Sequence, residues 1–202
     1  MIEKGAVFPM FYLPPVEYFV QMNIYKPGIV IEREEHFPKQ TYRNRANIYS
    51  PDGVLVLTVP VMRGSKNHTK AKDVKISYEF NWQRLHWQSL QACYRRSAYF
   101  EYYEDDIAPL ILGKKHTYLI DLNQEITSLL LKILKISCVL EQTPNYTKVE
   151  IGDFRDKFSP KIPPATTLPY SQVFDNKFGP IPDLSILDLL FNQGPRSIDF
   201  LG

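Results

Sequence analysis

The sequence predicts a mixed α/β protein: a Rossmann-like, partly parallel sheet in the first half with helices packed on it, then a helical C-terminal half. Three observations predict it. Residues 5–33 read as strand–helix–strand, residues 54–61 form an aliphatic strand run, and beyond residue 82 the apolar period lengthens to about 3.6 residues. With 202 residues, 44% apolar and 23% charged, the chain suits one well-filled core, so a single domain over 1–202 is expected.

In the first unit Ala6-Val7-Phe8 is a short apolar run, and Tyr12-Leu13-Pro14-Pro15 turns the chain. Pro15 suits the first helical position, where its missing N–H costs nothing. Val16, Phe19, Val20 and Ile24 follow at helical spacing, Pro27-Gly28 stops the helix, and Ile29-Val30-Ile31 is a second buried strand. Such a unit normally joins parallel strands. Ser50-Pro51-Asp52-Gly53 marks a turn before residues 54–61, the most strand-like run of the chain. Residues 74–77 alternate like a strand with one wet face.

The helical half begins with Trp82, Leu85, His86, Ser89, Leu90 and Cys93 on one face and Gln83, Arg84, Gln88, Gln91 and Arg95 on the other. The acidic group Glu101, Glu104, Asp105 and Asp106 resembles a solvated helix start. Asp121 with Gln124 resembles a capping box opening a helix whose buried stripe is Leu122, Ile126, Leu129, Ile133 and Ile136. Prolines 144, 160, 163, 164, 169, 180 and 182 make 142–182 a long surface segment, with one short strand near Thr166-Thr167-Leu168. A last, buried helix over about 184–193 takes Asp183 as its cap and stops at Gly194-Pro195.

Composition narrows the function classes. The 24 basic and 22 acidic residues leave a net charge of +2, whereas nucleic-acid binders gather a strong basic excess on one face. The local stretch Arg63, Lys66, Lys70, Lys72 and Lys75 lies among Gly64, Ser65 and Asn67 and reads as a solvated loop, so no nucleic-acid partner is predicted. The first residues lack the apolar run of a signal peptide, and no later segment approaches membrane-spanning length. With only Cys93 and Cys138, the expected compartment is the reducing cytoplasm. Histidines 36, 68, 86 and 116 show no zinc-type spacing, so no metal is predicted. Phosphate-loop, dinucleotide and nucleophile-elbow patterns are absent, and no cofactor is predicted.

Functional-looking residues concentrate at 36–48, after the second strand, where open α/β sheets place their ligand crevices. Lys39, Arg43 and Arg45 are cationic, and Gln40, Asn44 and Asn47 both donate and accept. A guanidinium fork matches carboxylate and phosphate geometry, so the set suits a small anionic ligand. The alternative is that both arginines make structural ion pairs. Asp188, inside an otherwise apolar helix, needs a partner or must neutralise, and Arg43 or Arg45 is the predicted counterpart, a scaffold pair holding the site segment. His86, on an apolar helix face, has the shelter a general base needs, and equally the placement of a hydrogen-bonded core histidine.

These segments together resemble the WbqC-like protein family, in its shorter branch. The carrying residues are Tyr12-Leu-Pro-Pro with Tyr18-Phe19, then Lys39-Gln-Thr-Tyr-Arg-Asn-Arg45, Leu57-Thr-Val-Pro-Val61 and Asp73-Val-Lys-Ile76. Trp82 with His86, Tyr94 with Ser97-Ala-Tyr-Phe100, and residues 183–195 complete the likeness. Three departures stand out. Pro9-Met10 replaces the Gln-Pro pair of longer members, and Glu17 stands where they tend to have Gly. A Gly/Ser-rich, Tyr-containing stretch of those members is here reduced to 142–182. The resemblance implies a role in surface-polysaccharide assembly, as a transferase that decorates sugars. In that scheme Lys39, Arg43 and Arg45 hold an anionic nucleotide-sugar or activated acyl donor. Asn44 and Gln40 orient it, Tyr12 and Tyr42 wall the pocket, and His86 moves the proton. The competing expectation is a non-catalytic ligand- or protein-binding module.

Overall fold

The computed structural model describes residues 5–62, 69–146, 152–160 and 168–202. Its first unit follows the predicted order: strand β1 (Ala6–Pro9), helix α1 (Val16–Tyr25) and strand β2 (Gly28–Glu32). β1 and β2 are parallel, with Val7 facing Val30 and Phe8 facing Ile31. A later strand, β5 (Val139–Gln142), joins the other side of β2, also parallel, in the order β1-β2-β5. Phe8, Ile29 and Ile31 are fully buried, as expected of parallel strands covered on both faces. The outer edge of β1 is closed by residues 152–154: Val7 N–H donates to the Gly152 carbonyl at 2.7 Å, and Phe154 N–H to that of Val7 at 2.8 Å. Gly152 has φ +76° and lies so near that a Cβ would meet Ala6 Cα at 3.2 Å, which explains a glycine there.

A separate antiparallel hairpin follows: β3 (Arg45–Ser50) and β4 (Gly53–Thr58), joined by Pro51-Asp52. The predicted 54–61 run therefore ends as a strand at Thr58. Val61 and Ile76 form only an isolated bridge, as do Lys75 and Tyr118, so the strand expected at 74–77 is not a regular one. Its partners there are the 116–119 connection and the chain after β4, too short to extend a ladder.

Helices α2 (Trp82–Tyr94), α3 (Phe100–Leu112), α4 (Leu119–Ile133) and α6 (Ile186–Gln193) build the second half, with α5 (Asp175–Phe178) a single turn inside the proline-rich segment. The buried face of α2 is rotated from expectation: Gln83 and Trp87 are inside and Leu85 is 63% exposed. Two aromatic contacts turn it, Trp87 stacked on Phe100 at 5.8 Å and Tyr94 tilted against Phe191 at 5.2 Å. α4 begins two residues before Asp121, behind Tyr118, so Asp121 complements the helix dipole from the first turn instead of capping it. Likewise Ser185 caps α6, its Oγ accepting from Leu187 N–H at 3.3 Å, because Asp183 is engaged elsewhere. The short strand expected at 166–168 falls mostly outside the described residues. Among the described residues no helix is long and apolar enough to cross a membrane.

Candidate functional site

Five segments distant in sequence meet at the start of the β3–β4 hairpin. Tyr12 N–H donates to the Tyr42 carbonyl at 2.9 Å, and Val59 N–H to that of Asn44 at 2.8 Å. Ser185 N–H donates to the Asn47 carbonyl at 2.8 Å, and Ile186 N–H to that of Pro14 at 2.8 Å. α2 enters through His86, whose Nδ1 lies 2.9 Å from the Tyr12 hydroxyl. The Tyr12–Pro15 turn that leads into α1, the Asn-Arg element (Arg43-Asn44-Arg45), the end of β4, α2 and the entry to α6 thus form one seam.

The predicted substrate set divides along it. Arg43 is 3% exposed, and its Nε and Nη2 donate to the two Glu35 carboxylate oxygens at 2.6 and 2.7 Å. Nη2 also donates to the Arg155 carbonyl at 2.9 Å, and the guanidinium lies 5.6 Å from the Phe11 ring centre. Arg43 is therefore in the scaffold. Burial pushes the Glu35 carboxyl up despite the fork beside it. Beside this pair, buried Arg155 bonds Glu32 through Nη1 at 2.9 Å and Asp153 through Nε and Nη2. Sequence reasoning missed Arg155, because nothing local marks a buried arginine in the proline-rich segment.

Arg45 is in a different situation. It is half-buried, its Nε is inaccessible to water, and among the described residues it has neither a hydrogen-bond partner at Nε nor an ion pair. Neighbouring Asn44 donates Nδ2 to the Val59 carbonyl at 3.0 Å while its Oδ1 is unmatched. Asn47, on the same face of β3 as Arg45, reaches the Tyr42 hydroxyl at 3.5 Å and also leaves Oδ1 unmatched. Tyr42 is buried here, whereas Lys39 and Gln40 are exposed on the preceding turn, Gln40 with φ +63°.

His86 and Tyr12 form a sealed couple. Tyr12 is fully buried and His86 is 6% exposed, with Trp82 edge-on to the imidazole at 5.0 Å. Burial holds His86 down at about 4, partly offset by a bond to the Thr58 backbone. With the ring neutral, the Tyr12 hydroxyl donates to Nδ1, and the Thr58 backbone acts on the imidazole from the end of β4. One turn earlier, Gln83 is 1% exposed and neither amide atom has a partner among the described residues.

Two carboxylates complete the region. Asp188 does not pair with Arg43 or Arg45 as predicted. It accepts from the Tyr170 hydroxyl at 2.7 Å and Gln172 Nε2 at 3.1 Å, because the proline-rich segment, not the 36–48 segment, covers that side of α6. Burial pushes it up to about 6, against hydrogen bonds from Tyr170, Tyr94 and Gln172 that pull it down. Asp183 Oδ1 accepts the Glu17 N–H at 3.1 Å, capping α1 from the far end of the chain. Burial pushes Asp183 up to about 7, the nearby Glu17 adding to the shift, and burial together with Asp183 raises the Tyr42 phenol. Asp183 was legible in sequence only as a helix cap. Among the described residues no cluster could hold a metal ion.

Residues 10–155, about three quarters of the chain, match the model of the WbqC-like protein family. The chain belongs to that family. It is also 26% identical, over 99% of its length and 98% of the other's, to the uncharacterized protein Rv1507c of Mycobacterium tuberculosis (strain ATCC 25618 / H37Rv). No solved structure matches it. The WbqC-like match contains the Asn-Arg element, His86 and the Arg43–Glu35 pair, and it ends at Arg155, which ties the sheet edge to that pair.

Proposed function

We propose that this WbqC-like chain is a transferase acting on a small anionic precursor, a nucleotide-activated sugar or activated acyl donor, in cytoplasmic steps of surface-polysaccharide modification. One observation carries the reading: Arg45 keeps a buried Nε with no partner among the described residues, and Asn47 on the same face and the adjoining Asn44 each leave an amide oxygen unmatched. A guanidinium without a carboxylate partner suits phosphate or carboxylate, and the amide groups suit the neighbouring hydroxyls of a sugar. Tyr42 walls this side. Arg43 and Tyr12 act behind it, as scaffold, and Lys39 and Gln40 meet the ligand only from the rim.

The acceptor's N–H or O–H attacks the donor's activated carbon, the bond to the leaving phosphate or thiolate breaks, and the released proton passes to Asp183. A carboxyl held at about 7 is matched to that task near neutral pH. His86, neutral and held to the Tyr12 hydroxyl through Nδ1, positions Tyr12 against the end of β4. The competing reading, a binding module, is favoured by Arg43 being spent on Glu35 and by the exposed aliphatic strip on β4.

A thermal-shift panel of nucleotide-sugars and acyl donors tests the proposal. A ligand at about 100 times its Kd adds roughly 2.7 kcal/mol. One donor class should raise the melting temperature of the wild type and leave Arg45→Ala unmoved. A flat panel sinks the transferase reading and favours the module.

A further inference from the structure

Among the described residues the hairpin has one edge, along Val54–Val56, that no other strand pairs with. Val54, Leu55 and Val56 are 49%, 36% and 48% exposed, unusual for the most aliphatic strand of a chain. Across the two-residue turn Ser50 pairs with Gly53, which makes Ser50/Gly53, Ile48/Leu55 and Ala46/Leu57 the hydrogen-bonded pairs. The ladder continues in phase as Val59 N–H donates to Asn44 at 2.8 Å. On β3 the intervening residues turn outward, as Tyr49 N–H donating to the Tyr94 hydroxyl at 2.9 Å confirms. By the same alternation Val54, Val56 and Thr58 aim their peptide groups away from β3. At Thr58 the neighbour on that side is His86 of α2. Among the described residues nothing bonds the outward groups of Val54 and Val56. No charged side chain or proline lies between Gly53 and Thr58 to protect this edge.

We infer that the outer edge of β4 is an association surface for a second copy of this chain, joining two hairpins into one four-stranded antiparallel sheet. The strand is self-complementary. A two-fold axis at Leu55 pairs Val54 with Val56 of the partner subunit, so that four outward backbone groups per copy are matched at once and Leu55 packs on its own mate. The same register sets Asp52 of the partner subunit opposite Thr58, on the face that carries Arg45, about two strand spacings or 10 Å away. Asp52 already has Lys177 Nζ 4.0 Å from its carboxylate, so the turn brings a matched pair toward Arg45 and leaves the Arg45 site open. Three half-exposed aliphatic side chains per copy fall short of the roughly 1,200–2,000 Å² of stable complexes, so the dimer is weak and concentration-dependent. The inference does not depend on the proposed activity.

Sedimentation of the full chain over a concentration series tests it, beside Val56→Lys, which puts a charge on the edge, and Val56→Pro. The proline removes a donor that points away from β3, so the hairpin's own ladder survives. The wild type should show a monomer–dimer equilibrium, and each variant should weaken it at least tenfold. Hydrogen exchange on the wild type needs no variant: amides of residues 53–58 should gain protection as concentration rises. A wild type that stays monomeric to about 1 mM, or a dimer that both variants leave unchanged, overturns the inference. So does exchange at 53–58 that ignores concentration.

Discussion

On the sheet side of the loop after β2, Arg43 closes a fork on Glu35 and Arg155 bridges Glu32 and Asp153, so buried charge is matched by buried charge. Two residues on, at the hairpin, Arg45, Asn44 and Asn47 hold buried polar atoms with no partner among the described residues. The two regions share one short motif. Desolvating a guanidinium is tolerated where a carboxylate accompanies it, and an unmatched buried donor is costly unless something else completes it. The difference separates framework from site within Arg43-Asn44-Arg45, which the motif alone presents as a unit.

The largest effect should come from breaking the framework. Arg43→Ala strands Glu35 in the interior and should cost about 3–5 kcal/mol in urea denaturation, while removing the whole pair by Arg43→Met with Glu35→Leu should cost much less. A simple sum of the two single losses in the double variant would mean that the pair is not coupled.

Next comes pH. The Asp183 carboxyl is raised from 3.8 to about 7, so the folded state holds a proton that the unfolded state releases, and stability falls as pH rises between those values. Asp183→Asn, which can still accept the Glu17 N–H, should flatten that fall by up to about 1.4 kcal/mol per pH unit in the denaturation midpoint. His86 has the opposite sign. Its pKa is lowered from 6.5 to about 4, so stability is lost as pH falls through that interval, and His86→Gln should flatten the acid limb. Unchanged pH profiles in both variants would remove these groups from the account.

The smallest stability effect belongs to the site. Arg45→Ala gives up no ion pair with the described residues and should shift the unfolding free energy by about 1 kcal/mol or less, while abolishing donor binding. A large destabilisation would place Arg45 in the framework and erase the contrast with Arg43.

What the sequence disclosed follows the same division. β1, α1 and β2 were legible because their signals are local: apolar runs of strand length, a Pro-Pro entry and a Pro-Gly stop. The Asn-Arg element was legible as a cluster of donors. Its partition was not, since Glu35 precedes Arg43 by eight residues and nothing in the spacing says which arginine turns inward. Asp183 and Asp188 were misread because their surroundings come from afar. Glu17 lies 166 residues from Asp183, and Tyr170 and Gln172 reach Asp188 from a segment without periodicity. The rotated face of α2 has the same origin, for Phe100 and Phe191 decide it from outside the helix.

The contrast between the two arginines is tested most directly by following their Nε–Hε resonances by NMR while inorganic pyrophosphate is added to the full chain. The Arg45 signal should move in a saturable way, and the Arg43 signal, locked on Glu35 at 2.6 Å, should stay in place and exchange slowly. Movement of Arg43 with Arg45 unaffected, or no response from either, would contradict the assignment of Arg45 as the cation left for a ligand.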